Sequence, residues 1–265
     1  MTVPDARSAT DAPATAPGAP PTAPLLLPAS RTPVDLDVVG LAKAVEGRVL
    51  WSDVTAHLRA GTITVVTGPS GAGKTTFLHC LGSLERPTAG RITCGGEDLG
   101  RVSSRRRRVL LRDVFGFLFQ DHLLVEQWSV RRNLDVALAA RGLRRRDRAD
   151  AAAAALGTVR LKGAERARVR LLSGGEQQRV GLARLVAHRP AVVLVDEPTA
   201  SLGDEDVDLV LALLRAWADA GATVVAATHD ARLVAISDQQ IALAGGVAAT
   251  SGTARRRWSG IRSSP

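Results

Sequence analysis

A glycine-rich segment directly after an apolar run carries residue types that bind phosphate. Residues 68–75 match the P-loop pattern, follow the β-branched run 63–67 and precede a helical stretch. Glycines let the backbone wrap tightly, so that N–H groups and a helix N-terminus converge on phosphate oxygens. Eight constrained positions in this context disfavour the alternative of a glycine turn without a ligand. The candidate phosphate-binding residues are Gly68, Pro69, Ser70, Gly71, Ala72, Gly73, Lys74, Thr75 and Thr76.

Two of these side chains have further predicted roles, and an acidic pair completes them. Lys74 would pair with the β- and γ-phosphates, and the Thr75 hydroxyl would bind Mg²⁺. The apolar run 192–195 ends in Asp196 and Glu197, which places carboxylates at the carboxyl edge of a sheet. Asp196 would hold Mg²⁺, and Glu197 would orient and deprotonate an attacking water. An ordinary acidic strand end is the alternative, and the nearby P-loop disfavours it.

Strand and helix signals alternate, which predicts an α/β domain. Nearly apolar runs suit strands buried on both faces of a parallel sheet. Residues 34–39 and 48–58 are expected to form an antiparallel side sheet, and residues 122–189 a helical insertion. The predicted strands are Ile63–Thr67, Val192–Asp196 and Thr223–Thr228, and the predicted helices are Lys74–Leu81, Ala149–Leu156, Glu176–His188 and Asp206–Ala220.

The terminal segments differ in composition from the centre. Eight of the thirteen prolines lie in residues 1–33, so residues 1–35 are predicted to be a disordered Pro/Ala-rich tail. The folded domain is expected over 36–250, followed by a loose basic tail at 251–265. The chain has no apolar run of about 18 residues, so no transmembrane helix is expected. Its two cysteines cannot form a disulfide framework, which favours a reducing compartment.

The net charge of +9 is concentrated in two segments. Residues 101–148 hold thirteen arginines against five acidic residues, and the tail 251–265 adds four arginines. The remainder is close to neutral. Basic segments of this kind indicate an anionic partner, which is nucleic acid, a membrane surface or a phosphate ligand.

A third motif resembles the signature of ABC-type ATPases. Residues 172–179 read Leu-Ser-Gly-Gly-Glu-Gln-Gln-Arg, and Ser173 lies 23 positions before Asp196. The resemblance implies a P-loop NTPase fold with a RecA-like parallel core, an antiparallel side sheet and an ABC-specific helical subdomain at about 122–189. It also implies a homodimer in which this motif caps the γ-phosphate bound to the opposite subunit. The implied trans nucleotide contacts are Ser173, Gly174, Gly175 and Glu176.

Two more loops resemble that family in the same order along the chain. Phe119-Gln120 is similar to the Q-loop, where Gln120 would sense Mg²⁺ and the attacking water. Thr228-His229-Asp230 is similar to the H-loop, and it implies contact between His229 and the γ-phosphate. The implied activity is hydrolysis of ATP with Mg²⁺, carried by Lys74, Gln120, Glu197 and His229.

The sequence most resembles the lipoprotein-release and macrolide-export subgroup, on the stretch Phe115–Leu124 and on Asn133-Leu134. This implies an ATP-binding subunit at the cytoplasmic face of the membrane that powers a separate permease, as an exporter. Importer ATPases of amino acids share much of this pattern, so import is the alternative. An ATPase acting on a membrane partner in cell division is a variant of this hypothesis. Arg105–Arg108, Arg144–Arg146 and Arg148 would meet anionic lipid headgroups, or form a solvated basic face.

The rival hypothesis is an ABC ATPase that works on DNA or ribosomes. Chromosome-organising members carry long coiled coils between P-loop and signature, whereas Lys74 and Ser173 are only 99 positions apart here. Translation-factor members carry two ATPase domains, whereas this chain shows one set of motifs. We therefore expect no nucleic-acid partner.

Two positions depart from the family pattern. The stretch that usually holds an adenine-stacking aromatic reads Lys43-Ala44-Val45, and Trp51 is expected to be a core residue. Weakened discrimination between ATP and GTP is therefore predicted. The loop after Thr199 usually ends Leu-Asp, but here Gly203 intervenes and Asp204 is displaced by one position. Asp204 either substitutes for the usual Asp, or coupling between the two ATP sites is weaker.

Overall fold

The computed structural model describes residues 32–119, 123–200, 202–244 and 247–252, which contain two β-sheets. The strands are β1 (Leu36–Val45), β2 (Arg48–Leu58), β3 (Ile63–Thr67), β4 (Ala89–Cys94), β5 (Glu97–Asp98), β6 (Phe115–Leu118), β7 (Val192–Asp196), β8 (Thr223–Ala227), β9 (Gln239–Ala244) and β10 (Val247–Gly252). The helices are α1 (Lys74–Leu81), α2 (Ser104–Asp113), α3 (Val130–Ala140), α4 (Arg148–Thr158), α5 (Gly174–His188), α6 (Asp204–Asp219) and α7 (Ala231–Ala235), with a 3₁₀ turn at Val169–Leu171.

The larger sheet positions the functional motifs. Its strand order is β10-β9-β3-β8-β7-β6, and all neighbours are parallel except β9 and β10. Every residue of β7 and β8 is buried, which explains their composition of Val, Leu, Ala and little else. The predicted parallel core is confirmed: β3 and β7 have the predicted bounds, and β8 ends one residue earlier than expected. The P-loop and Asp196 therefore meet at one carboxyl edge.

The smaller sheet has the order β2-β1-β4-β5 and is antiparallel, as predicted for its first two strands. Leu36, Trp51 and Phe77 belong to one buried cluster that joins this sheet to α1 and to a face of the larger sheet. β4 and β5 were not predicted. Three of the six residues of β4 are exposed, and β5 is a two-residue acidic strand, so neither carries an apolar pattern.

Residues 123–189 contain three of the helices, and α3 and α4 pack against α5. Ser129 and Ser173 cap α3 and α5 by accepting a hydrogen bond from the backbone N–H three residues later. Leu134, Leu156 and Leu182 are buried in a second cluster, which continues to α6. These helices lie within the predicted insertion and hold the signature motif at the start of α5.

Three strands of the larger sheet were missed as well. β6 is only four residues long, and it contains Gly116 because an added Cβ would lie 2.5 Å from Pro190 Cγ. β9 begins with two glutamines, and β10 continues to Gly252. The first two residues of the tail predicted to be loose are therefore part of a strand. Residues 1–31 and 253–265 lie outside the described residues.

Candidate functional site

The P-loop connects β3 to α1 through glycines with positive φ. Gly68 has φ 150°, Gly71 has φ 74°, and Gly73 has φ 85° as the N-cap of α1. A Cβ at Gly68 would lie 2.4 Å from the carbonyl oxygen of Leu243. The loop therefore depends on glycine both for backbone conformation and for its close approach to β9.

Lys74 folds back over this loop. Its Nζ donates to the Gly68 carbonyl oxygen at 3.0 Å and lies 4.0 Å from Oε1 of Glu197. The side chain is only 13% exposed. A phosphate group on the loop would thus meet an ammonium group that is already held at the mouth of the P-loop.

Trp51 supports the P-loop through a side-chain hydrogen bond that the sequence did not predict. The residue is buried, as expected, but its Nε1–H also donates to the Gly73 carbonyl oxygen at 3.3 Å. Its ring meets Phe77 edge-on at 5.4 Å between centroids. A Cβ at Gly73 would lie 2.9 Å from Trp51 Nε1. The contact joins residues 22 positions apart on different elements, so no local pattern could reveal it.

Thr75, in the first turn of α1, meets Asp196, the last residue of β7. Thr75 Oγ1 donates to Asp196 Oδ2 at 2.5 Å, while Asp196 Oδ1 is buried without a hydrogen-bond partner among the described residues. Burial raises the pKa of the Asp196 carboxyl, and the charge of Glu197 acts in the same direction against the Thr75 hydrogen bond. A divalent cation would satisfy the free oxygen and offset both effects.

The donor set fits Mg²⁺ rather than a metal held by a protein cage. The described residues contain no group of three or more His, Cys, Asp or Glu side chains able to hold a metal ion. Mg²⁺ bound with nucleotides takes one or two protein oxygens and completes its shell with phosphates and water. Thr75 and Asp196 supply that number.

Glu197 and His229 also meet at this edge. Glu197 has φ 46°, an unusual value for a residue with a side chain, and its N–H donates to the Ala227 carbonyl oxygen at 2.8 Å. Its carboxylate lies 3.0 Å from Nδ1 of His229, whose side chain is 80% exposed. The strained backbone therefore aims a half-buried carboxylate towards the loop after β8.

The signature motif stands at the start of α5 as a capping box. Ser173 Oγ accepts from the Glu176 N–H, and the Ser173 N–H and hydroxyl both donate to Glu176 Oε2, at 2.8 and 2.9 Å. Hydrogen bonds from Ser173 lower the pKa of the Glu176 carboxyl. Within the described residues, no hydrogen bond or ion pair joins this box to the P-loop.

The remaining predicted positions have mixed outcomes. Gln120 lies outside the described residues, although the preceding Phe119 is edge-on to His79 at 4.9 Å. Asp204 is the first residue of α6, and its carboxylate pairs with Arg232 at 2.9 Å. Gly203, at the N-cap, leaves α6 without a side-chain cap. Coupling through Asp204 stays a prediction.

Lys43, at the adenine position, is engaged elsewhere. Its Nζ lies 2.6 Å from Glu85 Oε1 and donates to the Arg86 carbonyl oxygen at 2.8 Å. The side chain is 11% exposed, so little of it is free to contact a base. Weak base discrimination stays a prediction.

Comparisons with known proteins agree with this geometry. The family described as ABC transporter matches residues 51–200. This chain belongs to the ABC transporter family. It is 40% identical to the cell division ATP-binding protein FtsE of Escherichia coli K12, over 71% of this chain and 84% of that protein. It is 39% identical to the lipoprotein-releasing system ATP-binding protein LolD 1 of Rhodospirillum rubrum, over 69% of this chain and 81% of that protein.

The ABC fold is also found in solved structures. The dimeric bacterial ABC transporter cassette MJ0796 matches with a TM-score of 0.75 and 25% identity, over 82% of this chain and 98% of that chain. Its post-hydrolysis state with ADP and Pi matches with a TM-score of 0.74 and 26% identity. The predicted α/β P-loop NTPase fold and ATP-hydrolysing class are thereby confirmed. No helix among the residues described here is long and apolar enough to cross a bilayer.

Proposed function

We propose that two copies of this ABC ATPase close around two ATP molecules at the cytoplasmic face of a membrane and drive a separate permease, of the export type. The observation that carries the proposal is the meeting of Lys74, Thr75, Asp196, Glu197 and His229 at one sheet edge. The matched relatives FtsE and LolD are named ATP-binding proteins, and the match covers most of their length.

The hydrolytic step follows from the placement of these groups. The P-loop N–H groups and Lys74 bind the β- and γ-phosphates, while bound Mg²⁺, held by Thr75 and Asp196, would neutralise phosphate charge. The Glu197 carboxylate accepts a proton from water as the water oxygen bonds to the γ-phosphorus. The bond from that phosphorus to the bridging oxygen breaks, and ADP leaves. His229 holds the Glu197 carboxylate and contacts the γ-phosphate.

The second copy completes the site. Ser173 and Gly175 of that copy approach the γ-phosphate, and Ser173 then exchanges its hydrogen bond with Glu176 for one with a phosphate oxygen. The N-terminus of α5 adds a favourable field for the anion. Hydrolysis removes the phosphate that links the copies, so the dimer reopens and the permease changes state.

Glu197→Gln tests the chemistry. The amide cannot accept the proton, so hydrolysis is expected to fall by about 100-fold or more, while ATP binding persists. The variant should elute as a dimer with ATP and as a monomer without it. Glu205→Gln, an exposed position in the first turn of α6, is the matched control and should behave as wild type. Hydrolysis at the wild-type rate by the Glu197 variant would refute its role as base.

The membrane contact is proposed on the exposed side of α2. Arg105 and Arg108 are exposed and have no ion-pair partner among the described residues, whereas Arg144 and Arg146 both contact Asp147. Anionic headgroups would therefore meet α2 more favourably than the 144–148 segment. Replacing Arg105 and Arg108 with Gln should lower flotation with anionic vesicles, and replacing Arg144 and Arg146 should have the smaller effect. Equal flotation of all forms at low salt would remove lipid from the proposal.

The permease itself is tested by purification from membranes. A copurifying integral-membrane subunit supports the proposal, and its identity separates cargo export from the alternative of a role in cell division, which the similarity to FtsE raises. Recovery with ribosomes or DNA and without a membrane protein would favour the rival class of ABC ATPase.

A further inference from the structure

A cavity of about 670 Å³ lies at the edge of the parallel sheet opposite the P-loop. Thr62, just before β3, lines the cavity, whereas β3 ends at the P-loop. A five-residue strand is about 17 Å long, so the cavity is separate from the ATP site. Its walls are formed by β1, β2 and the start of β9, including Val39, His57 and Gln239.

Asp37 and His57 line this rear cavity, and Asp35 lies next to His57 outside the lining. His57 Nδ1 lies 2.6 Å from Asp37 Oδ1, and its Nε2 lies 3.8 Å from Asp35 Oδ2. Both carboxylate side chains are about half exposed, and neither forms an ion pair with lysine or arginine among the described residues. Arg59 lines the same cavity, and Asp238 is paired with Arg215. Asp35 Oδ1 accepts from the Ala60 N–H at 2.7 Å and Asp37 Oδ2 accepts from the Thr93 hydroxyl at 3.3 Å, so the exposed part of each carboxylate is what remains open to an additional cation.

The basic end of the chain leaves the sheet at this cavity. β10 is antiparallel to β9 and ends with Gly252 opposite Gln239, which lines the cavity. β10 also lies beside β2, the strand that carries His57. Arg255–Arg257 follow Gly252 by three to five residues, a reach of about 10–18 Å for extended chain. These arginines can therefore reach the two carboxylates.

We propose that residues 253–265 dock in the rear cavity of their own chain, with Arg255–Arg257 paired to Asp35 and Asp37. Trp258 would cover Val39, which is 49% exposed. The N-terminal segment 1–31 precedes β1 and is the competing occupant, but it contains two basic and two acidic residues, so charge favours the C-terminal segment. A short tether gives the segment a high effective concentration, which offsets the weakness of exposed ion pairs.

This docking is independent of the ATP site. It places four arginines of the tail against the ATPase domain, and it leaves α2 as the basic surface that faces a membrane. The two proposals can therefore fail separately.

Disulfide formation in the full-length chain tests the docking. Val39→Cys in the cavity and Ser259→Cys in the tail keep all the charges named above. The native Cys80 and Cys94 are buried, and burial raises the pKa of each thiol to about 12, so they react slowly. Docking predicts a fast intramolecular disulfide that is independent of protein concentration and slows at high salt, because exposed pairs are screened.

The matched controls carry the same cysteine pair with altered charge. Replacing Arg255, Arg256 and Arg257 with Gln, or Asp35 and Asp37 with Asn, should each slow the disulfide by about fivefold or more. Rates are normalised to the reaction of each single-cysteine variant with a small disulfide reagent, which removes effects on thiol reactivity. Disulfide rates that change neither with the charge substitutions nor with salt would overturn the proposal. It would also be overturned if deleting residues 1–31 restored a fast disulfide to the variant with the neutralised tail.

Discussion

The carboxyl edge of the parallel sheet and the start of α5 hold their functional groups in opposite ways. At the sheet edge, Thr75, Asp196 and Glu197 lie close together, and one oxygen of Asp196 has no partner among the described residues. At the start of α5, Ser173 and Glu176 satisfy each other and remain near the surface. The sheet edge therefore leaves a carboxylate oxygen without a partner, whereas the polar groups of the α5 cap satisfy each other.

This difference separates chemistry from folding. Neutralising Asp196 is expected to remove catalysis at little cost in stability, because burial opposes the charged state of that carboxyl. Changes at the α5 cap remove a stabilising hydrogen bond along with a ligand. Substitutions in each region test this difference between the sheet edge and the α5 cap.

Asp196→Asn should have the largest effect. We expect MgATP hydrolysis to fall by about 1,000-fold, because the carboxylate that would bind Mg²⁺ is lost. The thermal midpoint should stay equal or rise, because a neutral amide is less costly to bury than a carboxylate. Asp208→Asn, exposed on α6, is the control for both measurements. A marked loss of thermal stability with activity retained would invert the contrast.

Mixing two inactive chains tests whether the α5 start acts in trans. Lys74→Ala disables the P-loop, and Ser173→Ala disables the signature and costs about 1 kcal/mol of stability through the lost cap. A mixed dimer has one complete site, so an equal mixture should recover about a quarter of the wild-type rate. Each chain mixed with itself is the control. A mixture no more active than its parts would place the signature in cis.

Trp51→Phe should have an intermediate effect on the binding of ATP at the sheet edge. The substitution removes the donor to the Gly73 carbonyl oxygen and is expected to raise the KM for ATP by about three- to tenfold, with little change in kcat. Trp217→Phe, buried on α6, is the control for loss of core volume. If both variants lose stability alike and neither changes KM, Trp51 is a core residue and nothing more.

The two regions also differ in what their sequence reveals. β3, β7 and α1 were predicted to the residue, because buried parallel strands and the helix after a glycine loop leave local patterns. The start of α5 was predicted two residues too late, because Gly174 and Gly175 resemble loop residues. Its Ser-x-x-Glu pattern is the capping signal that would have corrected the boundary.

Contacts between distant segments could not be predicted. The Trp51–Gly73 hydrogen bond and the Asp204–Arg232 pair each depend on how separate elements pack. The rear cavity is formed in part by β9, and this strand was not predicted because it begins with polar residues. Local patterns therefore predicted the buried strands of the site better than the contacts between separate elements that support it.

The smallest expected effect lies in the cap and is visible only in acid. Ser173 lowers the pKa of Glu176 below the ordinary value of 4.5, so the ionised carboxylate stabilises the folded chain. That contribution is fully present above pH 4.5 and is lost as the pH falls through the lower, folded-state pKa. Glu176→Gln should therefore lower the thermal midpoint by a constant amount near neutral pH, and the difference should shrink below pH 4.5. Glu205→Gln, which lacks these hydrogen bonds, should show no such convergence, and parallel curves for Glu176→Gln would mean that its carboxylate does not stabilise the cap.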